Sequence, residues 1–94
     1  MTNILSFIST IVAMSPHPID TSQRALLVEL GERIKRIRKQ KGLTLEEVAN
    51  RIGKDRQSIH RLEKGDFNPS YVYLVEVCKG LDIDVRELFA KDAS

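Results

Sequence analysis

From residue 20 onward, hydrophobic positions recur at helical spacing in five blocks, each set off by glycine or by small polar residues. Leu27, Leu30, Ile34 and Ile37 form the first stripe and predict a long helix over residues 21–41, with Asp20 and Gln23 placed as a capping box at its start. Gly42 ends it. Leu45, Val48, Ala49 and Ile52 predict a short second helix over 45–52, opened by Thr44 with Glu47 three residues later. Gly53 then supplies a turn, and Asp55 is placed to cap a third helix over 56–64 whose apolar spacing rests on Ile59 and Leu62 alone. Gly65 stops that helix and the loop 66–69 turns the chain. Ser70 caps a fourth helix reaching Gly80, with Tyr71, Leu74, Val77 and Cys78 expected inside and Leu81 just beyond its end. Asp84 caps a short fifth helix carrying Val85, Leu88 and Phe89. Helices this short are unstable alone, so the second and third must pack on each other and on their neighbours, and Ala49 permits a close crossing.

Residues 1–20 have a different pattern. Ile4 to Met14 is mostly apolar, and Pro16 and Pro18 interrupt the segment beyond it. The run is too short to span a bilayer, and no Lys or Arg precedes it to form a signal-peptide n-region. Three readings stay open: a flexible tail, an element that docks on the domain or on a partner, or an early start with Met14 as the true first residue. A tail and an early start are favoured, which divides the chain into an N-terminal tail over 1–20, one domain over 21–91 and a C-terminal tail over 92–94.

Composition narrows the class. Of the 94 residues 41% are hydrophobic, 30% charged and 5% aromatic, with no Trp, which suits a small helical bundle with a Leu, Ile and Val core. The net charge of +2 is unevenly spread. Residues 24–64 hold 12 Lys and Arg against 6 Asp and Glu, while residues 65–94 hold 3 against 6. The basic half contains the second and third helices, which favours a polyanionic partner. Cys78 is the only cysteine, so no internal disulfide forms and a reducing cytoplasm fits. One Cys and two scattered His residues offer no zinc site, and neither a nucleophile–base set nor a phosphate loop is present. The sequence points away from an enzyme, a metal or a cofactor.

The third helix carries the chemistry. With Ile59 and Leu62 turned inward, Arg56, Gln57, His60 and Arg61 are left to face outward, a set suited to hydrogen bonding in the DNA major groove. The stretch Gly42–Gly65, GLTLEEVANRIGKDRQSIHRLEKG, resembles the helix-turn-helix of the Cro/C1-type (XRE) family of bacterial and phage DNA-binding proteins. The likeness extends from about Leu30 to Phe89 and includes the lead-in RIKRIRKQKGLT, the NPS turn and the ending LDIDVRELF. It implies an all-α fold, a five-helix lambda-repressor-like DNA-binding domain with the helix-turn-helix at helices 2 and 3 (about 45–64).

Within that frame Arg56, Gln57 and Arg61 are expected to read bases, Arg pairing with guanine and Gln with adenine, the alternative for each arginine being a phosphate contact. His60 is open between a base edge, a phosphate and solvent. Thr44, Lys54, Ser58, Lys64 and Asn68 border the motif and are expected to hold phosphates. The family often has Gln at the position of Leu45, and leucine cannot make that backbone contact. Of the six cations between Arg33 and Lys41, only some are expected to approach DNA, since a charged exposed face also serves solubility. Arg38 and Glu63 match a family ion pair that joins the first helix to the end of the third. The resemblance and the small reach of one recognition helix imply a homodimer on a pseudo-palindromic operator, joined near helix five through Val85 and Phe89, with Ile83 and Leu88 inward. The expected function is thus a cytoplasmic, sequence-specific transcriptional regulator of double-stranded DNA, with no membrane role. The rival is an antitoxin-like module that neutralises a partner protein through Val72, Val75 and the apolar run 4–12.

Overall fold

The computed structural model describes residues 20–90, which form five helices: α1 (Thr21–Gln40), α2 (Leu45–Arg51), α3 (Arg56–Glu63), α4 (Tyr71–Gly80) and α5 (Val85–Leu88). The chain is all-α with the five-helix order that the hydrophobic pattern predicted, boundaries agreeing to within a residue or so. Residues 1–19 and 91–94, with the apolar run 4–12 and the candidate start at Met14, lie outside the described residues.

Each helix opens on a polar side chain that satisfies an orphan amide. Asp20 and Thr44 form full capping boxes with Gln23 and Glu47, and Asp55, Ser70 and Asp84 cap α3, α4 and α5. Hydrogen bonds from those amides and side chains hold the carboxyls of Asp20, Glu47, Asp55 and Asp84 below the usual carboxylate range. The first three helices close on Gly42, Gly53 and Gly65, all in the left-handed region, while α4 closes on Asp82 at φ 58°. Asp is among the few side chains that tolerate this conformation. Lys41 Nζ donates to the Asp82 carbonyl over 3.2 Å and ties the turn to the end of α1.

One core joins the helices: Ile34 of α1, Val48 and Ala49 of α2, Ile59 and Leu62 of α3, Leu74, Val77 and Cys78 of α4, then Leu81 and Leu88. Cys78 is sealed inside, and burial pushes its thiol up to about 11, with Asp84 and Glu87 adding to the effect. Tyr71 does not join this core. Side chains lean toward a helix N-terminus, so a residue at the first helical position projects past the packed face, and Tyr71 is 68% exposed. Tyr73 takes the inward place instead, half-buried against the core.

α1 and α3 meet at a seam around the C-terminal end of α3. A Cβ on Gly31 would overlap the Glu63 carbonyl, and one on Gly65 would lie 2.7 Å from the Val28 amide nitrogen. Both positions therefore require glycine for backbone-to-backbone contact. Ion pairs lie toward either end of the seam. Arg24 meets Asp66 at 2.7 Å on the surface. Arg38 meets Glu63 inside, Nε to Oε2 at 2.7 Å and Nη2 to Oε1 at 3.0 Å, while its Nη1 donates to the Leu43 carbonyl.

Candidate nucleic-acid interface

α3 is short and two-faced. Ile59 and Leu62 are fully buried and Glu63 is locked to Arg38, while Gln57 and Arg61 on the opposite side and Arg56 in the first turn are exposed and His60 is half-buried. The Arg38–Glu63 pair fixes the C-terminal end of α3 against α1, and the hydrogen bonds that Arg38 donates to Glu63 raise its pKa. The Asp55 cap fixes the N-terminal end, accepting from the Ser58 amide at 2.7 Å. A helix held at both ends, with three long polar side chains in water, is a rigid rod offering hydrogen bonds to a groove.

The residues expected to border this rod have unequal freedom. Lys64 is exposed at the C-cap of α3 and Asn68 is exposed in the following loop. Thr44 is exposed, but its capping box already uses its amide, on Glu47 Oε1, and its hydroxyl lone pair, on the Glu47 amide; the hydroxyl proton remains for an anion. Glu46 and Glu47 add negative charge to the first turn of α2, which weakens the pull of the helix dipole on a phosphate there. Ser58 is half-buried beneath the rod. Lys54 pairs with Glu76 of α4 at 3.3 Å and lies 5.3 Å from the Tyr73 ring centre.

That contact belongs to an aromatic platform that helical spacing did not predict. Phe67 and Tyr73 pack edge to face, ring centres 5.4 Å apart, and the Arg61 guanidinium lies 5.8 Å from the Phe67 ring. The hydroxyl end of Tyr73 is buried beside Ser58, and this burial raises its pKa, with Asp55 and Glu76 adding to it. Stacking on Phe67 restricts Arg61 before any partner arrives, so less side-chain entropy is lost on binding. The available signal was the grouping of three of the chain's five aromatics, Phe67, Tyr71 and Tyr73, in and just after the loop that follows α3.

Several cations are structural. Arg33 donates to the Leu88 and Ala90 carbonyls and holds the end of α5 against α1. Arg51 donates to the Gly80 carbonyl at 2.9 Å and closes α4. Arg38 and Lys41 are also engaged, while Lys35 and Lys39 are exposed on α1. At α5, Phe89 is 58% exposed, but Val85 is half-buried against the core. In a single helical turn Val85 and Leu88 share one face, so the burial of Leu88 draws Val85 inward with it and leaves Phe89 as the open apolar residue.

A two-helix motif locked into a five-helix bundle, with a polar helix face at its surface, defines the class of helix-turn-helix DNA-binding domains. A helix-turn-helix family model matches residues 34–88. An uncharacterized HTH-type transcriptional regulator, y4dJ, from Sinorhizobium fredii is 39% identical over 59 residues, covering 63% of this chain and 77% of its own. Another from Methanothermobacter thermautotrophicus is 38% identical over 60 residues, covering 63% and 87%. Among solved structures, the restriction-modification controller protein C.AhdI from Aeromonas hydrophila matches with a TM-score of 0.67 at 39% identity, over 70% of this chain and 96% of that one. The clp gene regulator ClgR from C. glutamicum matches with a TM-score of 0.62 at 30% identity, over 64% and 78%. The chain belongs to the helix-turn-helix family, in its Cro/C1-type (XRE) branch, and is a DNA-binding regulator rather than an enzyme. Among the described residues no helix is long and apolar enough to cross a membrane.

Proposed function

We propose that this chain is a sequence-specific transcriptional regulator that binds a pseudo-palindromic operator as a homodimer, with α3 lying in the major groove. The observation that carries the proposal is the division of α3 into a locked inner face and an outer face of Arg56, Gln57, His60 and Arg61. Arg56, Gln57 and Arg61 read base edges, with Arg61 pre-set by Phe67. Lys64, Asn68 and the Thr44 hydroxyl hold phosphates, with smaller parts for Lys54 and Ser58, which are partly occupied within the fold. Subunits pair near α5 through Phe89, with Val85 beneath it. A regulator of DNA with these properties works in the cytoplasm.

Titration of duplex DNA at several salt concentrations tests this reading. With roughly four phosphate contacts per subunit and two subunits, log K should fall against log salt with a slope of about −7. A slope shallower than about −2 at the preferred site would remove the DNA-binding role.

One observation favours the rival, antitoxin-like reading: Tyr71 and Val72 stand 68% and 65% exposed together at the start of α4, a small apolar face away from the core. A chain that shows no sequence preference on DNA but forms a stable complex with the product of a neighbouring gene would establish that rival.

A further inference from the structure

Lys54 stands in the turn between α2 and α3, directly before the Asp55 cap, and two contacts with α4 hold its side chain. Its Nζ meets Glu76 Oε2 at 3.3 Å and lies 5.3 Å from the centre of the Tyr73 ring. Tyr73 and Glu76 are three residues apart on α4, so one helix face supplies both contacts. The Lys54 backbone is fixed separately. Its amide donates to the Ala49 carbonyl at 2.9 Å where α2 closes, and the next residue caps α3. A change of partner at Lys54 is therefore a swing of the side chain alone.

The pair with Glu76 is of the kind that exchanges readily. The two side chains are 35% and 40% exposed, and lysine–carboxylate pairs in water are weak, because solvent screens them and two flexible chains must be held in one geometry. A DNA phosphate beside the start of α3 would offer the ammonium a second anion. While Lys54 stays with Glu76, its charge is neutralised and displaces no counterion from DNA. The carboxylate also repels a phosphate approaching that turn. Glu76 is the one acidic residue of α4, and neither the helix-turn-helix motif nor the core requires a charge there.

We infer that Glu76 restrains DNA binding by holding Lys54 back from the phosphate backbone, with the Tyr73 ring as the second half of the hold. The inference rests on the reading that α3 enters the major groove, and it gives α4 a part in setting affinity. The grip on DNA is thereby kept below what the cations of the α2–α3 turn would otherwise give. A residue that merely steadied the turn would act in the opposite direction, since its loss would loosen α3 and weaken binding.

Titration of duplex DNA at several salt concentrations decides the matter, using the unsubstituted chain, Glu76→Gln, Lys54→Gln and the double variant. Glu76→Gln keeps the shape of the side chain and removes its charge. It should bind at least about threefold more tightly, with log K against log salt steeper by up to about 0.9 for each subunit bound. In the Lys54→Gln background the same substitution should give no gain, because the freed ammonium is its source. Equal or weaker binding by Glu76→Gln would overturn the inference, weaker binding showing that Glu76 steadies the turn instead. A gain that survives Lys54→Gln would also overturn it, as a general effect of net charge. Either of those failures beside an unsubstituted slope of about −7 leaves the DNA-binding reading in place, whereas an unsubstituted slope shallower than about −2 removes both.

Discussion

Among single residues, the most consequential contact is the bidentate pair of Arg38 and Glu63, both nearly sealed from water. Such a pair orients elements more than it adds net stability, but removal of one partner leaves an uncompensated buried charge. Glu63→Ala should therefore cost about 3–5 kcal/mol. In a domain this small that is a fall in Tm of well over about 10 °C, measurable by circular dichroism. A melt matching the unsubstituted chain would show that water reaches the pair. Family resemblance points to this contact from the sequence alone, because both residues sit at matched positions. The Phe67–Tyr73 platform was not legible, since it depends on how the loop after α3 folds back onto α4. Tyr71 misled for a related reason: helical spacing gives the face a residue occupies but not whether the facing element extends that far.

Among the elements, the α1–α3 seam decides how α3 is presented. Gly31 lies mid-helix, where glycine ordinarily weakens a helix, and replacement by Ala would add up to about 1 kcal/mol of propensity. The overlap with the Glu63 carbonyl should outweigh that gain. Gly31→Ala is expected to destabilise by about 1–3 kcal/mol net of propensity, read from chemical denaturation, and a more stable variant would mean the seam is loose. Nothing in the hydrophobic pattern pointed to Gly31, because close backbone approach is a property of two elements together. The caps, by contrast, were legible one by one, since each acts within four residues of chain. They also carry a pH dependence. Asp20, Glu47 and Asp55 have carboxyls lowered by their capping hydrogen bonds, and Asp84 by the Arg86 guanidinium and then its capping bond, so the folded state binds fewer protons than the unfolded one. The stability they add is complete above the ordinary carboxylate range and should be lost as the pH falls through and below it, seen as a declining Tm in acid. A Tm that stayed level there would show that these caps do not hold in solution.

For the whole molecule, the five-helix order was legible in the sequence because each boundary carries its own glycine or polar cap. The interface was so only in part. Arg56, Gln57 and Arg61 are exposed on α3 as expected, whereas the structural use of Arg33, Arg38 and Lys41 in the basic lead-in required the fold. Val85 likewise turned inward because a four-residue helix has a single face to bury. The proposed function requires that α3 read DNA sequence and that two copies read it together. Selection of bound duplexes from a random library, with the full chain and with Arg61→Ala in parallel, examines both requirements at once. The expected result is an enriched two-fold-related motif with half-sites centred about 34–36 Å apart, and a relaxed preference at one position of each half-site when Arg61 is removed. Bound DNA with no enriched sequence, or a motif unchanged by Arg61→Ala, would refute it.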